Sequence, residues 1–175
     1  MRFVKGQGNA VTTKQNFTPE EWLKILESTM LAGMAVSAAD PSGLWGTIKE
    51  AFASRSAIGG SKSQSASNEL VKAVITELQT DDGRSLVQEA LRKRVSGAMP
   101  ADVVQRSLDN LQEVAAILDA KAPSDAADFK VWLEGISKQV AEASMEGGFL
   151  GIGGVRVSDA EKATLADIAK ALGTT

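Results

Sequence analysis

The chain predicts an all-α fold: a single-domain bundle of about seven helices, with a small glycine-rich β-hairpin before the last helix. Three observations predict it. Apolar residues recur every three or four positions through most of residues 18–172. Helix start and stop signals punctuate that pattern at short intervals. One stretch, Glu146-Gly147-Gly148-Phe149-Leu150-Gly151-Ile152-Gly153-Gly154-Val155-Arg156-Val157, abandons it for glycine and β-prone residues.

Residues 1–17 read as a flexible N-terminal arm whose charges, Arg2, Lys5 and Lys14, are all basic. The domain then runs over 18–175. Its first helix opens on a Thr18-Pro19-Glu20-Glu21 capping box, with Phe17 placed to staple onto Trp22 or Leu23. Trp22, Ile25, Leu26, Thr29, Met30, Gly33 and Met34 follow at helical spacing. The half from Leu31 to Ala39 is small or apolar all round, the mark of a central, buried helix. Asp40-Pro41 ends it. A second helix is expected from Leu44 through Trp45, Ile48 and Phe52 to about Ile58, and 59–67 (GGSKSQSAS) reads as a mobile linker. That linker is not a phosphate loop, because the Gly-Lys-Ser order and the preceding strand are both missing.

A third helix over about 68–79 turns Leu70, Val71, Val74, Ile75 and Leu78 inward, and Asp81-Asp82-Gly83 is expected to stop it. The fourth, over about 84–96, is expected to bury Leu86, Val87, Ala90, Leu91 and Val95 and to end on Arg92-Lys93-Arg94, where cations complement the helix dipole. After a turn at 96–100 the fifth runs over about 101–121, with Val104, Leu108, Leu111, Val114, Ala115 and Leu118 inside. Pro123-Ser124 breaks it, and a sixth over about 125–144 uses Phe129, Trp132, Leu133, Ile136, Val140 and Ala143. The last, about 159–172, carries Leu165, Ile168 and Leu172 and closes on Gly173.

Composition limits the chemistry. The chain has no cysteine, histidine or tyrosine, which removes thiolate and imidazole metal sites and the usual nucleophile–base pairs. No serine has a lysine three positions on, so the Ser-x-x-Lys spacing is also missing. The expectation is a non-enzyme without cofactor. An enzyme resting on Lys or carboxylates ranks last. A net charge of −3 does not point to nucleic acid, and no window holds the ~18 uninterrupted apolar residues of a membrane span. With no secretory signal in the first residues, a cytoplasmic location is expected. Charge is uneven: twelve bases and ten acids over 1–100, seven bases and twelve acids over 101–175.

The glycine stretch admits two readings. Gly153-Gly154 between β-prone runs is a hairpin signal, and a hairpin lid on the bundle is the plainer one. The other is an anion site, with Gly153, Gly154, Arg156 and Ser158 gathered where Ser158-x-x-Glu161 starts the last helix. The same capping box, with Asp159 and Glu161 in the first turn, opposes an anion. The carboxylate pairs Asp109/Glu113 and Glu142/Glu146 each share a helical face, a geometry open to a hard cation but more often a solvated acidic face.

The closing segment, Glu146-Gly147 followed by Val157 to Leu165, Ile168 and Leu172-Gly173, resembles the closing motif of TerB-like (tellurite-resistance) helical domains. There an acidic residue and a glycine precede a short loop, a glutamate in the next helix and a terminal Leu-Gly. The small-residue helix ending at Ala39-Asp40 resembles the matching first half. The loop before Ser158 is longer here, and Glu146 stands where the motif has Asp. The resemblance implies an all-helical fold, a stress-associated or interaction role and, for a family-type metal site, Asp40, Glu146 and Glu161. From the residues and the resemblance together, the expected function is a helical interaction or scaffold protein with a protein partner or self-association. The alternative is a module binding phosphate-like anions or divalent metal at 146–161.

Overall fold

A computed structural model describes residues 12–40, 68–146 and 157–175. Among these the fold is all-α, with no strand. The six helices are α1 (Pro19–Ala39), α2 (Glu69–Gln79), α3 (Asp81–Val95), α4 (Pro100–Lys121), α5 (Pro123–Glu146) and α6 (Asp159–Leu172), preceded by a 3-10 turn at Lys14–Asn16. The expected helix over 44–58, the linker 59–67 and the hairpin stretch 147–156 lie outside the described residues, as does the arm up to residue 11. The count of seven helices and the hairpin therefore have no support among the described residues.

Helix α1 is the axis of the bundle. Its Thr18 Oγ1 accepts from Glu21 N (3.2 Å) while Glu21 Oε2 accepts from Thr18 N (2.8 Å), so the capping box closes. Phe17 stacks on Trp22 with ring centroids 5.9 Å apart, the expected staple. Every residue from Ile25 to Ala38 is buried. Such a helix needs neighbours on all sides, and α4, α5 and α6 all pack against it, α4 most extensively. Lys121 reaches Glu21 (2.6 Å) and Lys24 reaches Glu113 (2.7 Å), which makes α4 antiparallel to α1. From α5, Ser137 Oγ donates to Ala32 O (3.2 Å). Ser28 and Thr29, buried in α1, donate back to the carbonyls of Ile25 and Leu26 and so need no outside partner.

Two boundaries differ from expectation. Asp81-Asp82-Gly83 does not follow a helix end as a separate turn; it forms the first turn of α3. Thr80 is both the C-cap of α2 and the N-cap of α3, its Oγ1 accepting from Gly83 N (2.9 Å), and the two acids suit a helix N-terminus. Ala122 alone separates α4 from α5, and Pro123 begins the new helix rather than breaking into a loop.

Two buried stripes also differ. In α3 the buried positions are Gly83, Val87, Leu91 and Val95, one residue every turn, which leaves Leu86 45% exposed. In α4 the buried set is Val103, Ser107, Asn110, Leu111, Val114, Ala115 and Leu118, while Val104 and Leu108 are only partly buried. Helix α4 is wedged between α1 and α6, so its buried arc is wider than the apolar stripe alone indicates.

Candidate functional site

The N-terminus of α6 is where the sequence places its candidate site. Ser158 is the N-cap: its Oγ accepts from Glu161 N (3.1 Å), and Glu161 Oε2 accepts from Ser158 N (2.8 Å). Glu161 is 4% exposed, so its carboxylate faces the protein interior rather than solvent. Lys162 pairs with Asp159 at 3.0 Å on the outside of the same turn. The capping box already occupies the Ser158 and Glu161 amides, and two acidic residues in the first turn suit the helix dipole, which leaves this end poorly disposed to a bound anion. Gly153, Gly154 and Arg156 lie outside the described residues. So does the side chain of Glu146, whose backbone ends α5. Asp40 is the C-cap of α1. Among the described residues no three acidic side chains gather as a metal site.

The acidic pair on α4 does not act as a unit. Asp109 accepts from Gln105 Nε2 (2.8 Å), and Glu113 is taken by Lys24. Two of the three cations at the basic end of α3 are likewise engaged within the chain. Lys93 pairs with Glu89 (2.7 Å), and Arg94 turns inward to Glu27 of α1 through Nε–Oε1 (3.3 Å) and a terminal nitrogen to Oε2 (2.7 Å). Arg106 of α4 donates to the carbonyl of Arg94 and so caps the end of α3.

The Glu27–Arg94 pair is the feature the sequence reading missed. Glu27 is 2% exposed in the middle of the central helix, and a carboxyl so placed needs a partner that fills its hydrogen-bonding capacity, which the Arg94 fork supplies. Its signal in the sequence is an acid inside an otherwise uncharged run, Ile25 to Ala39. A second missed feature is Asn110. It is 1% exposed, and both ends of its amide lack a hydrogen-bonding partner among the described residues; Ser37 Oγ and the indole nitrogens of Trp22 and Trp132 are in the same condition.

Among the described residues three carboxyls sit below the ordinary carboxylate range. Glu21 is lowered first by the hydrogen bond from Lys121 and then by that from the Thr18 amide, Glu89 by Lys93, and Glu134 by Lys138. In each case a lysine stabilises the charged form, which is the behaviour of surface ion pairs.

The outward side of α5 carries the Glu134–Lys138 pair and, beside it, an exposed apolar side chain. Val131 there is 53% exposed, with Asp128 and Lys138 exposed beside it. With this geometry in hand, comparison with known families, with curated proteins and with solved structures finds no match to the chain. The TerB-like resemblance rests on the quoted residues alone.

Proposed function

We propose that this protein works by presenting a helical surface to a partner, with a second copy of itself as that partner, and that it is an interaction or scaffold protein rather than an enzyme. The observation that supports this reading is the division of the bundle into an enclosed axis and an open outer helix. The small-residue half of α1, a natural surface for close helix contact, is consumed within the chain. Helix α5 keeps one face against α1 and leaves an apolar side chain and unengaged charge on the other. A stress-associated role follows from the TerB-like resemblance of the closing segment. Size-exclusion chromatography with light scattering tests self-association: mass rising toward twice the monomer with concentration is expected, and a strict monomer at high concentration removes it.

The second reading is a module for phosphate-like anions or divalent cations at residues 146–161, with the glycine stretch as a hairpin or loop over α6. Ser158 at the N-cap favours it, and the acids of that turn weigh against it. Thermal-shift measurement against inorganic phosphate, nucleotides and divalent cations decides. A ligand at a hundred times its dissociation constant adds about 2.7 kcal/mol, and no stabilisation at millimolar ligand removes this reading.

A further inference from the structure

The outer face of α5 carries enough pattern to specify how two copies meet. Ser124, Ala127, Asp128, Val131, Gly135 and Lys138 follow at helical steps and share one side of the helix, away from the buried Phe129, Trp132, Leu133 and Ser137. Val131 is 53% exposed, while the neighbouring Ala127 and Gly135 leave the helix surface low. A Cβ added at Gly135 meets nothing within 4 Å, so the space above that glycine is open. Asp128 has no ion pair or hydrogen bond among the described residues. Lys138 is 58% exposed and, among the described residues, uses one contact, to Glu134 at 2.5 Å, of the three its ammonium can make.

These features are self-complementary under one operation. We infer that α5 pairs antiparallel with α5 of a second copy about a two-fold axis level with Leu133. In that register Val131 of each copy seats on Gly135 of the other. Asp128 of each copy lies opposite Lys138 of the other. The two-fold repeats both contacts, so one apolar knob-in-hole and one attraction are each made twice. Sliding the axis to Val131 instead sets Asp128 against Glu134, a repulsion, so charge as well as shape selects the register. The occupant is a second copy because the apolar knob, its hole, the acid and the base all lie on one face at matching distances from one centre. A single helix pair buries an area at or below the low end of specific interfaces, under roughly 1,200 Å², so the dimer is weak and appears only as concentration rises. This inference rests on the self-association proposed above and names its surface.

Sedimentation velocity on the full chain, from low micromolar to near-millimolar, tests both levels separately. The wild type is expected to shift from monomer to dimer. Asp128→Lys and Lys138→Asp are each expected to weaken dimerisation roughly tenfold by turning two attractions into repulsions, and the double variant D128K/K138D to recover it. Gly135→Leu, which the open space lets the monomer accommodate, is expected to abolish dimerisation by filling the hole. Association that persists unchanged in all these variants overturns the α5 register and leaves self-association standing. A wild type that stays monomeric throughout overturns both, and leaves the α5 face to a different protein.

Discussion

At the scale of the residue, Glu27 and Asn110 show two ways of burying a polar group. Glu27 is matched: Arg94 supplies two hydrogen bonds across a sequence separation of 67 residues. Removing one partner strands the other. Arg94→Met is expected to lower stability by about 3 kcal/mol, the low end for a broken buried pair because Arg94 itself is partly solvated. The double variant Glu27→Leu/Arg94→Met is expected to return to within about 1 kcal/mol of the wild type, since two well-packed apolar side chains replace the pair without leaving a charge. Urea unfolding of the three proteins gives the comparison directly. Asn110 is neutral and unmatched, with both amide ends lacking a partner among the described residues in a position 1% exposed. A stranded buried polar group costs about 1–3 kcal/mol. Asn110→Leu, close in volume, is therefore expected to stabilise the protein by about 1–2 kcal/mol, seen as a raised urea midpoint with unchanged m-value. An unchanged or lowered midpoint contradicts the assignment.

At the scale of the element, two glycines on helices make opposite demands. Gly83 sits at the α2–α3 corner, where an added Cβ falls 2.1 Å from the carbonyl oxygen of Glu77. That neighbour is backbone and cannot step aside, so Gly83→Ala is expected to cost about 1–3 kcal/mol. Gly135 has open space above it in α5, and Gly135→Ala is expected to add about 0.5–1 kcal/mol through helix propensity. Thermal unfolding of the two variants should move Tm in opposite directions. Elements whose cause is local were legible in the sequence. The Thr18/Glu21 and Ser158/Glu161 boxes, the Phe17 staple and the Gly173 terminus, at φ 69°, form as their spacing predicts. Gly83 was misread because a glycine after two acids has the composition of a turn; only the approach of α2's last carbonyls shows why that glycine belongs inside a helix. For a related reason Leu86, expected inside, is exposed, and Ser107 and Asn110, which carry no apolar signal, are buried. A helical stripe gives a direction, and the width of its buried arc depends on how many neighbours the fold brings, which residue spacing does not encode. Of the candidate site, Ser158 and Glu161 were legible as a cap. The Glu27–Arg94 pair was not, since nothing local links residues on α1 and α3.

At the scale of the whole molecule, ion pairs link the helices around the enclosed axis: Glu21 to Lys121, Lys24 to Glu113, Lys130 to Asp119. Glu21, Glu89 and Glu134 have folded-state values below the ordinary carboxylate range. Their stabilisation is thus fully present above the unfolded value and is lost as pH falls through the lowered folded value. Tm is expected to fall on acidification below about pH 4.5, and less steeply in Glu134→Gln than in the wild type.

The segment leading into α1 is tied to that same framework. Thr12, 5% exposed, donates to the carboxylate of Asp125, Lys14 pairs with Glu77 at 2.8 Å, and Asn68, which caps α2, donates to the carbonyl of Asp125 (3.1 Å). The start of α5 is therefore the junction of the N-terminal segment, α2 and α5. Thr12→Val keeps the shape of the side chain and removes the hydroxyl, stranding nothing but a carboxylate that still reaches Ser124 and solvent. It is expected to cost about 1–2 kcal/mol locally and to expose the chain around residues 12–17 without unfolding the bundle. Limited proteolysis should cut the variant there several-fold faster than the wild type, while amide exchange in α1 and α4 stays unchanged. Faster exchange in α1 at the same time means that the N-terminal segment opens only with the bundle and that Thr12–Asp125 holds the core as well as its edge.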